Sequence, residues 1–393
     1  MRQLKPSNIY AVGAIDWDAR LFDRLIPLPD GTSYNAYLIK GTGKTALIDT
    51  VDPSKTAVLL GNLDKLRIDK IDYIVSQHGE QDHSGSLADV LAKYPTAQVV
   101  TNPKCKGMLM DLLDIDDDRF ITVADGEQLT LGDKTLRFVY LPWVHWPETM
   151  GTYLIEEKVL FSCDFFGAHL ASSDLFVEDE AVVYESAKRY YAEIMMPFRR
   201  QINNNLEKLW DLEIDIIAPS HGPVHNRPRF IIDAYKDWVC DAVKNEVVLP
   251  YVSMHGSTAA MVSHFVEALI ERGITVRQFE LSTVDIGRLA MALVDAATIV
   301  IGSPTVLTGA HPSAAYAVFL ANALRPKARF ASVIGSYGWG GKTVEQLANM
   351  MTNLKVEILE PVVIKGFPKD DAFALLDRLA DEILAKHKEI GIA

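Results

Sequence analysis

The six residues His78-Gly79-Glu80-Gln81-Asp82-His83 hold two imidazoles and two carboxylates. Such nitrogen and oxygen donors suit first-row metals, zinc and iron among them. Crowded in one loop, they can serve two adjacent ions if distant segments complete the shells. Three distant segments have the required form. Leu141-Pro142-Trp143-Val144-His145-Trp146 ends an apolar run with a His. Phe161-Ser162-Cys163-Asp164 ends another with an Asp, and Ala218-Pro219-Ser220-His221-Gly222 ends a third with a His. Each has a structural alternative, since a strand-terminal Asp can cap the next helix and a His can bond to backbone. His169, in Phe166-Gly167-Ala168-His169, and His225, near His221, are further imidazoles in the same region. The residue types alone leave zinc and iron both open.

A second constellation lies in the last third of the chain. Tyr251-Val252-Ser253-Met254-His255-Gly256-Ser257-Thr258 stands between an apolar run and a helical pattern. A hydroxyl- and Gly-rich loop there offers backbone N–H groups to a phosphate at a helix N-terminus, although Ser and Thr also cap helices without any ligand. Gly302-Ser303-Pro304-Thr305 and Gly335-Ser336-Tyr337-Gly338-Trp339-Gly340-Gly341 follow two later apolar runs. Aromatic residues among glycines can stack on a flat ring while the backbone stays close to it.

The elements that must position these loops can be read from the apolar pattern. Strands are expected at 8–15, 34–40, 45–51, 71–77, 97–101, 135–141, 151–155, 159–163 and 215–219. Helices are expected at 54–65, from Ser84 or Gly85 onward, and over most of 179–210. The first metal-type cluster thus falls in the loop after a short buried strand. From about residue 246 the pattern becomes regular. Strands at 247–252, 275–281, 298–302, 329–335 and 356–364 alternate with helices at 259–272, 286–296, 314–324, 344–354 and 370–388. Five strands alternating with helices imply a doubly wound parallel sheet. The expected division is therefore 1–245, of mixed α/β and α+β character, and 246–393, a five-stranded parallel α/β domain.

Composition narrows the function classes. The chain has 393 residues, 49% of them hydrophobic, which suits two globular domains. A net charge of −13 makes it a poor general binder of nucleic acid or of anionic membranes. Arg199-Arg200 and Arg227-Pro228-Arg229 could still form a local basic patch. The three cysteines include no C-x-x-C pair, which excludes a rubredoxin-type site and fits a reducing cytoplasm. The first residues lack the apolar core of a signal peptide, and no stretch approaches a membrane span.

The order H-x-[EH]-x-D-H, then His145, Asp164 and His221, resembles the metallo-β-lactamase superfamily, whose fold is an αβ/βα sandwich with a two-metal site at one edge. Its zinc hydrolases usually carry His where this sequence has Glu80. That departure, with His145-Trp146-Pro147, Ser33-Tyr34-Asn35-Ala36-Tyr37-Leu38-Ile39 and Tyr190-Tyr191-Ala192, is similar to the flavodiiron proteins of the A type. The resemblance implies that His78, Glu80, His145 and Asp164 hold one iron. It implies that Asp82, Asp164 and His221 hold the other, with Asp164 bridging. His83 is the member whose reach to the metal varies in that family, and His169 becomes a candidate proton donor beside the ligands. Carboxylate and imidazole suit iron in both oxidation states, and anionic Glu80 favours the higher one.

The second constellation resembles the FMN loops of the same family and of flavodoxins. That resemblance makes Ser253 to Thr258, Ser303 to Thr305 and Ser336 to Gly341 the FMN-binding residues. The sequence departs at His255, where Thr is usual, and over Val306-Leu307-Thr308-Gly309-Ala310-His311. The implied activity is reduction of O₂ to water or of NO to N₂O. Electrons would come from a separate donor, such as a rubredoxin, a flavin reductase or a reduced deazaflavin. The implied assembly is a head-to-tail homodimer or a dimer of dimers. Two rivals remain: a dizinc hydrolase with a flavin-binding appendage, and an FMN electron carrier with a structural metal loop.

Overall fold

The computed structural model describes residues 2–393. The chain forms two compact units. One runs up to Tyr190 and includes Phe198–Val239; the other comprises Tyr191–Pro197 and Cys240–Ala393.

In the first unit the apolar runs become two facing sheets. One has seven strands, in the order Arg2–Lys5, Ile9–Ala11, Tyr37–Lys40, Thr45–Ile48, Tyr73–Val75, Gln98–Thr101 and Phe120–Thr122. The pairing is antiparallel as far as Thr45–Ile48 and parallel beyond it. The other sheet has Gln128–Thr130, Thr135–Tyr140, Met150–Leu154, Val159–Cys163 and Ile216–Pro219.

Strand periodicity explains why these runs are apolar throughout rather than alternating. Ile39, Ile48, Val75 and Val100 pack inward with Phe138, Leu154 and Phe161 of the other sheet. Their immediate neighbours Leu38, Leu47, Ile74 and Val99 pack outward with Leu59, Leu63, Val90 and Leu109 of the covering helices. A strand covered on both faces needs apolar residues at every position. The result is the metallo-β-lactamase-like sandwich.

The second unit is a flavodoxin-like parallel sheet. Its strand order is Thr275–Glu280, Lys244–Tyr251, Ala296–Val306 and Phe330–Tyr337, with Glu357–Ile358 and Val362–Lys365 both on the last strand. That is the 2-1-3-4-5 arrangement, in which ligands bind beyond the strand C-termini at the reversal of order. Val247, Leu249, Val300 and Ile334 pack with Phe265 and Leu269 of helix Ser257–Glu271 and with Leu376, Leu379 and Ile383 of helix Asp370–Glu389. Gly335 is required for the sheet itself: a Cβ there would stand 1.9 Å from the Ser303 carbonyl oxygen.

Several expected elements are broken where the chain must bend. The run 8–15 divides into Ile9–Ala11 and Ala14–Asp16 around Gly13, whose absent side chain lets the Tyr34 carbonyl approach. The run 356–364 is two strands, because Glu360-Pro361 interrupts the ladder. The helix expected from Ser84 begins earlier, as the short turn Gln81–Ser84, and resumes at Leu87–Lys93. The third strand of the second unit runs on to Val306 and turns back at Leu307-Thr308, both at positive φ, to Gly309–Ala310.

One buried imidazole gives the second unit a pH dependence. His387 is fully buried; its Nδ1 donates to Asn245 Oδ1 at 2.7 Å and its Nε2 accepts from Thr298 Oγ1 at 2.7 Å. Burial lowers its pKa to about 4. The unfolded chain therefore takes up a proton that the folded one refuses, and stability falls as pH drops from about 6.5 towards 4. Denaturant unfolding of the second unit should show a loss on the order of 2 kcal/mol between pH 7 and pH 5. His387→Gln should flatten that slope.

Candidate metal centre

The candidate ligands come from strand ends at one edge of the sandwich. His78 follows Tyr73–Val75, and the short helix Gln81–Ser84 presents Asp82 and His83. Asp164 follows Val159–Cys163, and His221 follows Ile216–Pro219. His145 lies in the loop after Thr135–Tyr140. Non-glycine residues at positive φ sit at these exits: Asp49, Trp143, Cys163 and Phe166. Such backbone costs about 1–3 kcal/mol per residue and persists where the surroundings over-determine it.

Two groups of donor atoms result. In one, Glu80 Oε2 lies 3.1 Å from His78 Nε2 and 3.0 Å from His145 Nε2, and Asp164 Oδ2 lies 3.5 and 3.4 Å from the same nitrogens. In the other, Asp164 Oδ1 lies 3.1 Å from His83 Nε2 and 3.3 Å from His221 Nε2. Asp82 completes that group, with Oδ1 3.4 Å from His83 and Oδ2 3.2 Å from His221. Asp164 thus offers one oxygen to each group. All seven residues named from the sequence come together here. His83, the member in question, stands in the second group on the same footing as His221.

Apart from His78 Nε2 and Glu80 Oε2, which meet in a hydrogen bond of 3.1 Å, the atoms aim at common points rather than at one another. Both oxygens of Asp82, both of Asp164 and the Nε2 of His83 are buried without a hydrogen-bond partner. Leaving such groups unpaired in a protein interior costs several kcal/mol. Burial opposes charge on the imidazoles, yet the carboxylates outweigh it. They hold His78 and His221 up to about 10, and His83 and His145 up to about 9. The cluster therefore demands positive charge. Two groups of two imidazoles and two carboxylates, one carboxylate shared, fit two iron ions.

Outer contacts fix the rings. His78 Nδ1 donates to Glu148 Oε1 at 2.8 Å, and Gly79 N donates to the same oxygen at 3.0 Å. His221 Nδ1 donates to the Ser33 carbonyl at 2.7 Å. Asp49, His83 and Cys163 form a third grouping, but Asp49 accepts from Gln77 N and Nε2, and burial holds the Cys163 thiol protonated. Sequence reasoning missed Glu148 and Asp49. Their only signals were a Glu three residues beyond His145 and an Asp ending a strand.

His169 is buried beside the centre, its ring 5.1 Å from that of His221 and 4.8 Å from that of Tyr190. Burial, then the charge of His221, holds it neutral. Thr32 Oγ1 meets its Nδ1 at 2.9 Å, and its Nε2 is unpartnered. His225 joins none of the groups; its Nε2 donates to the Phe166 carbonyl. The open side is at Glu80 and His145, whose side chains are 12% exposed. The hairpin Leu21–Phe22/Ile26–Pro27 reaches the centre. Phe22 lies 5.0 Å from the His169 ring, and Asp23 feels the charges of Glu80 and Asp82.

In the second unit the three expected loops meet. Ser253, Met254, His255, Ser257, Thr258, Pro304, Thr305, Ser336, Tyr337 and Gly338, with Gly366, line a cavity of about 210 Å³. An adjoining cavity of about 570 Å³ shares Thr305 and Tyr337 and adds Gly340 and Gly341. Gly256, at φ 89°, turns the chain into helix Ser257–Glu271. Thr258 Oγ1 is buried there with no partner, and Ser253 Oγ is already taken up by Ala259 N. A helix N-terminus with a spare hydroxyl suits a phosphate. Met254 lines the cavity while half-exposed, Trp339 is exposed and lines neither cavity, and Ser303 is buried, accepting from His311 N.

The shared carboxylate makes a direct forecast. Asp164→Asn should lower metal content at both positions, whereas His221→Ala should lower it at one. Elemental analysis of purified chains checks this. Because even outer partners of metal ligands are worth about 10–100-fold in affinity, the loss should exceed about 100-fold for the affected positions.

Comparison with known proteins bears on the fold and the family. Residues 32–222 match the family model described as ODP family beta lactamase. The chain is 34% identical to a nitric oxide reductase of Moorella thermoacetica, over 96% of this chain and 97% of that one. It superposes on rubredoxin oxygen:oxidoreductase of Desulfovibrio gigas with a TM-score of 0.94 and 30% identity, over 98% of both chains. The flavodiiron protein of Giardia intestinalis matches with a TM-score of 0.89 and 27% identity, again over 98% of both. With a two-group carboxylate–imidazole centre on one unit and a flavodoxin-like sheet in the other, the chain belongs to the A-type flavodiiron protein family.

Proposed function

We propose that this chain is a flavodiiron oxidoreductase that reduces O₂ to water, NO to N₂O, or both, using electrons from an external donor that pass through FMN. The observation that carries the reading is Asp164, whose two oxygens face two separate groups of imidazole and carboxylate donors. On this reading residues 1–245 hold the iron pair, through His78, Glu80, His145, Asp164, Asp82, His83 and His221. Residues 246–393 hold FMN through the three loops. When bound, the flavin and the two irons together supply the four electrons and the oxidant-binding positions that reduction of O₂ to two waters requires.

The chain's own residues do the rest. Asp164 ties the two positions together, so that one small molecule can meet both. Glu148 and the Ser33 carbonyl fix the His78 and His221 rings, so that no reorientation accompanies a change of charge. Glu80 adds negative charge on the open side and favours the oxidised state. His169 can move a proton through a neutral ring, since Thr32 holds Nδ1 and Nε2 is free to take or give one. Thr258 and the first N–H groups of Ser257–Glu271 would hold the phosphate of FMN, and Tyr337 with the glycines beside it would accommodate the ring.

A dizinc hydrolase shares the first unit's fold. It would use imidazole where Glu80 stands, and it has no need of the second unit. The donor is a separate one, such as a rubredoxin, a flavin reductase or a reduced deazaflavin, and the active assembly is a head-to-tail homodimer or a dimer of dimers in the cytoplasm. Among the described residues no helix is long and apolar enough to cross a membrane.

Parallel O₂ and NO electrode assays on the anaerobically reduced protein test the reading. Consumption of at least one gas is expected; inertness towards both contradicts it. His145→Ala should cut consumption about 100-fold or more while keeping the flavin spectrum. Undiminished consumption would leave the metal loop a structural role only.

A further inference from the structure

His78 and His221 face the same pair of metal positions, but they are held from behind by groups of different charge. Behind His78 stands a carboxylate, with Glu148 Oε1 2.8 Å from Nδ1. Behind His221 stands a neutral carbonyl, that of Ser33, 2.7 Å from Nδ1. Glu148 is 3% exposed, and its backbone carbonyl is tied down by Asn102 Nδ2. Oε1 also accepts from Gly79 N, but Oε2 has no partner, so no further donor drains the charge from the His78 bond.

The nearest counterpart in the other group is Asp49, which lies with His83. Its bonds run elsewhere. Oδ1 accepts from Gln77 N and Oδ2 from Gln77 Nε2, each at 2.8 Å, with Ser220 Oγ at 3.4 Å from Oδ2. Asp49 therefore spends its hydrogen-bonding capacity on amides and a hydroxyl, while Glu148 makes its shorter bond to an imidazole and a longer one to the Gly79 amide. The inner donors are balanced, two imidazoles and two carboxylates on each side. The imbalance lies one bond further out.

A carboxylate accepting from the distal N–H of a ligating imidazole makes that ring a stronger electron donor. A stronger donor favours ferric over ferrous iron. We propose that Glu148 makes the two metal positions unequal, giving the one bounded by His78, Glu80, His145 and Asp164 the lower reduction potential, so that it is the first to be oxidised. The inference rests on the iron-pair reading above. Glu148 touches neither metal nor oxidant; it is a positioning residue acting through His78.

The test uses the full chain, loaded anaerobically with ferrous iron and assayed for metal before anything else. Potentiometric titration is then followed by electron paramagnetic resonance, which sees the mixed-valence state. The native chain should show two separate one-electron steps and a well-populated mixed-valence signal between them. In Glu148→Gln the lower midpoint should move up towards an unmoved upper one, shrinking that signal. Ferrous affinity at one position should fall about 10–100-fold. Glu148→Asp, which keeps the charge on a shorter arm, should move the same midpoint by less. Midpoints unchanged in both variants, or both midpoints shifted equally, would overturn the proposal and leave Glu148 a merely structural support. A native chain that takes up no iron would overturn the proposed function as well, whereas a full iron pair with coincident midpoints would overturn this inference alone.

Discussion

Asp164 sets the terms for everything around it. Its carboxylate is 1% exposed, and neither oxygen has a hydrogen-bond partner. Desolvating a charge in this way is costly, and protein interiors offset the cost with donors or with cations. His83, His145 and His221 offset it in part and hold Asp164 well below the usual carboxylate range, but their Nε2 atoms converge on the same two points as Glu80 and Asp82. Cations at those points resolve the conflict, and each oxygen of Asp164 then has its own.

The sandwich exists to bring those atoms together without collapse. Two sheets packed through Ile39, Val75, Phe138 and Phe161 make a rigid block, and its strand ends deliver His78, Asp164 and His221 to one edge. Left-handed backbone at Asp49 and Cys163 and the Glu148 and Ser33 contacts turn each side chain to its final angle. Apolar packing thus supplies position, and hydrogen bonds supply orientation. The second unit follows the same logic on a parallel sheet, where strand C-termini and one helix N-terminus converge on a cavity.

Much of this was legible in the sequence because its signals are local. Four ligand-type residues in one six-residue loop are dense enough to announce a metal site. Apolar strands covered on both faces leave unbroken runs such as Tyr73 to Val75. The hydroxyl- and Gly-rich loops fall where a regular strand–helix alternation places strand C-termini. What was not legible depends on distance through space. Glu148 looks like any other acidic residue until the fold sets it against His78. The Ser33 carbonyl is backbone and leaves no side-chain signature. His83 could not be settled from its neighbours, since only the fold brings Asp164 within 3.1 Å of it. The turn at Leu307-Thr308 uses positive φ without glycine, so no composition signal marks it.

Asp164 is placed to bridge a coupled pair of irons held by the two donor groups. Mössbauer spectroscopy of the chain purified anaerobically and loaded with iron-57 addresses it directly. Two irons per chain, high-spin and magnetically coupled, are expected, with the coupling lost in whatever iron Asp164→Asn retains. Zinc at both positions, or two uncoupled irons in the native chain, would contradict it.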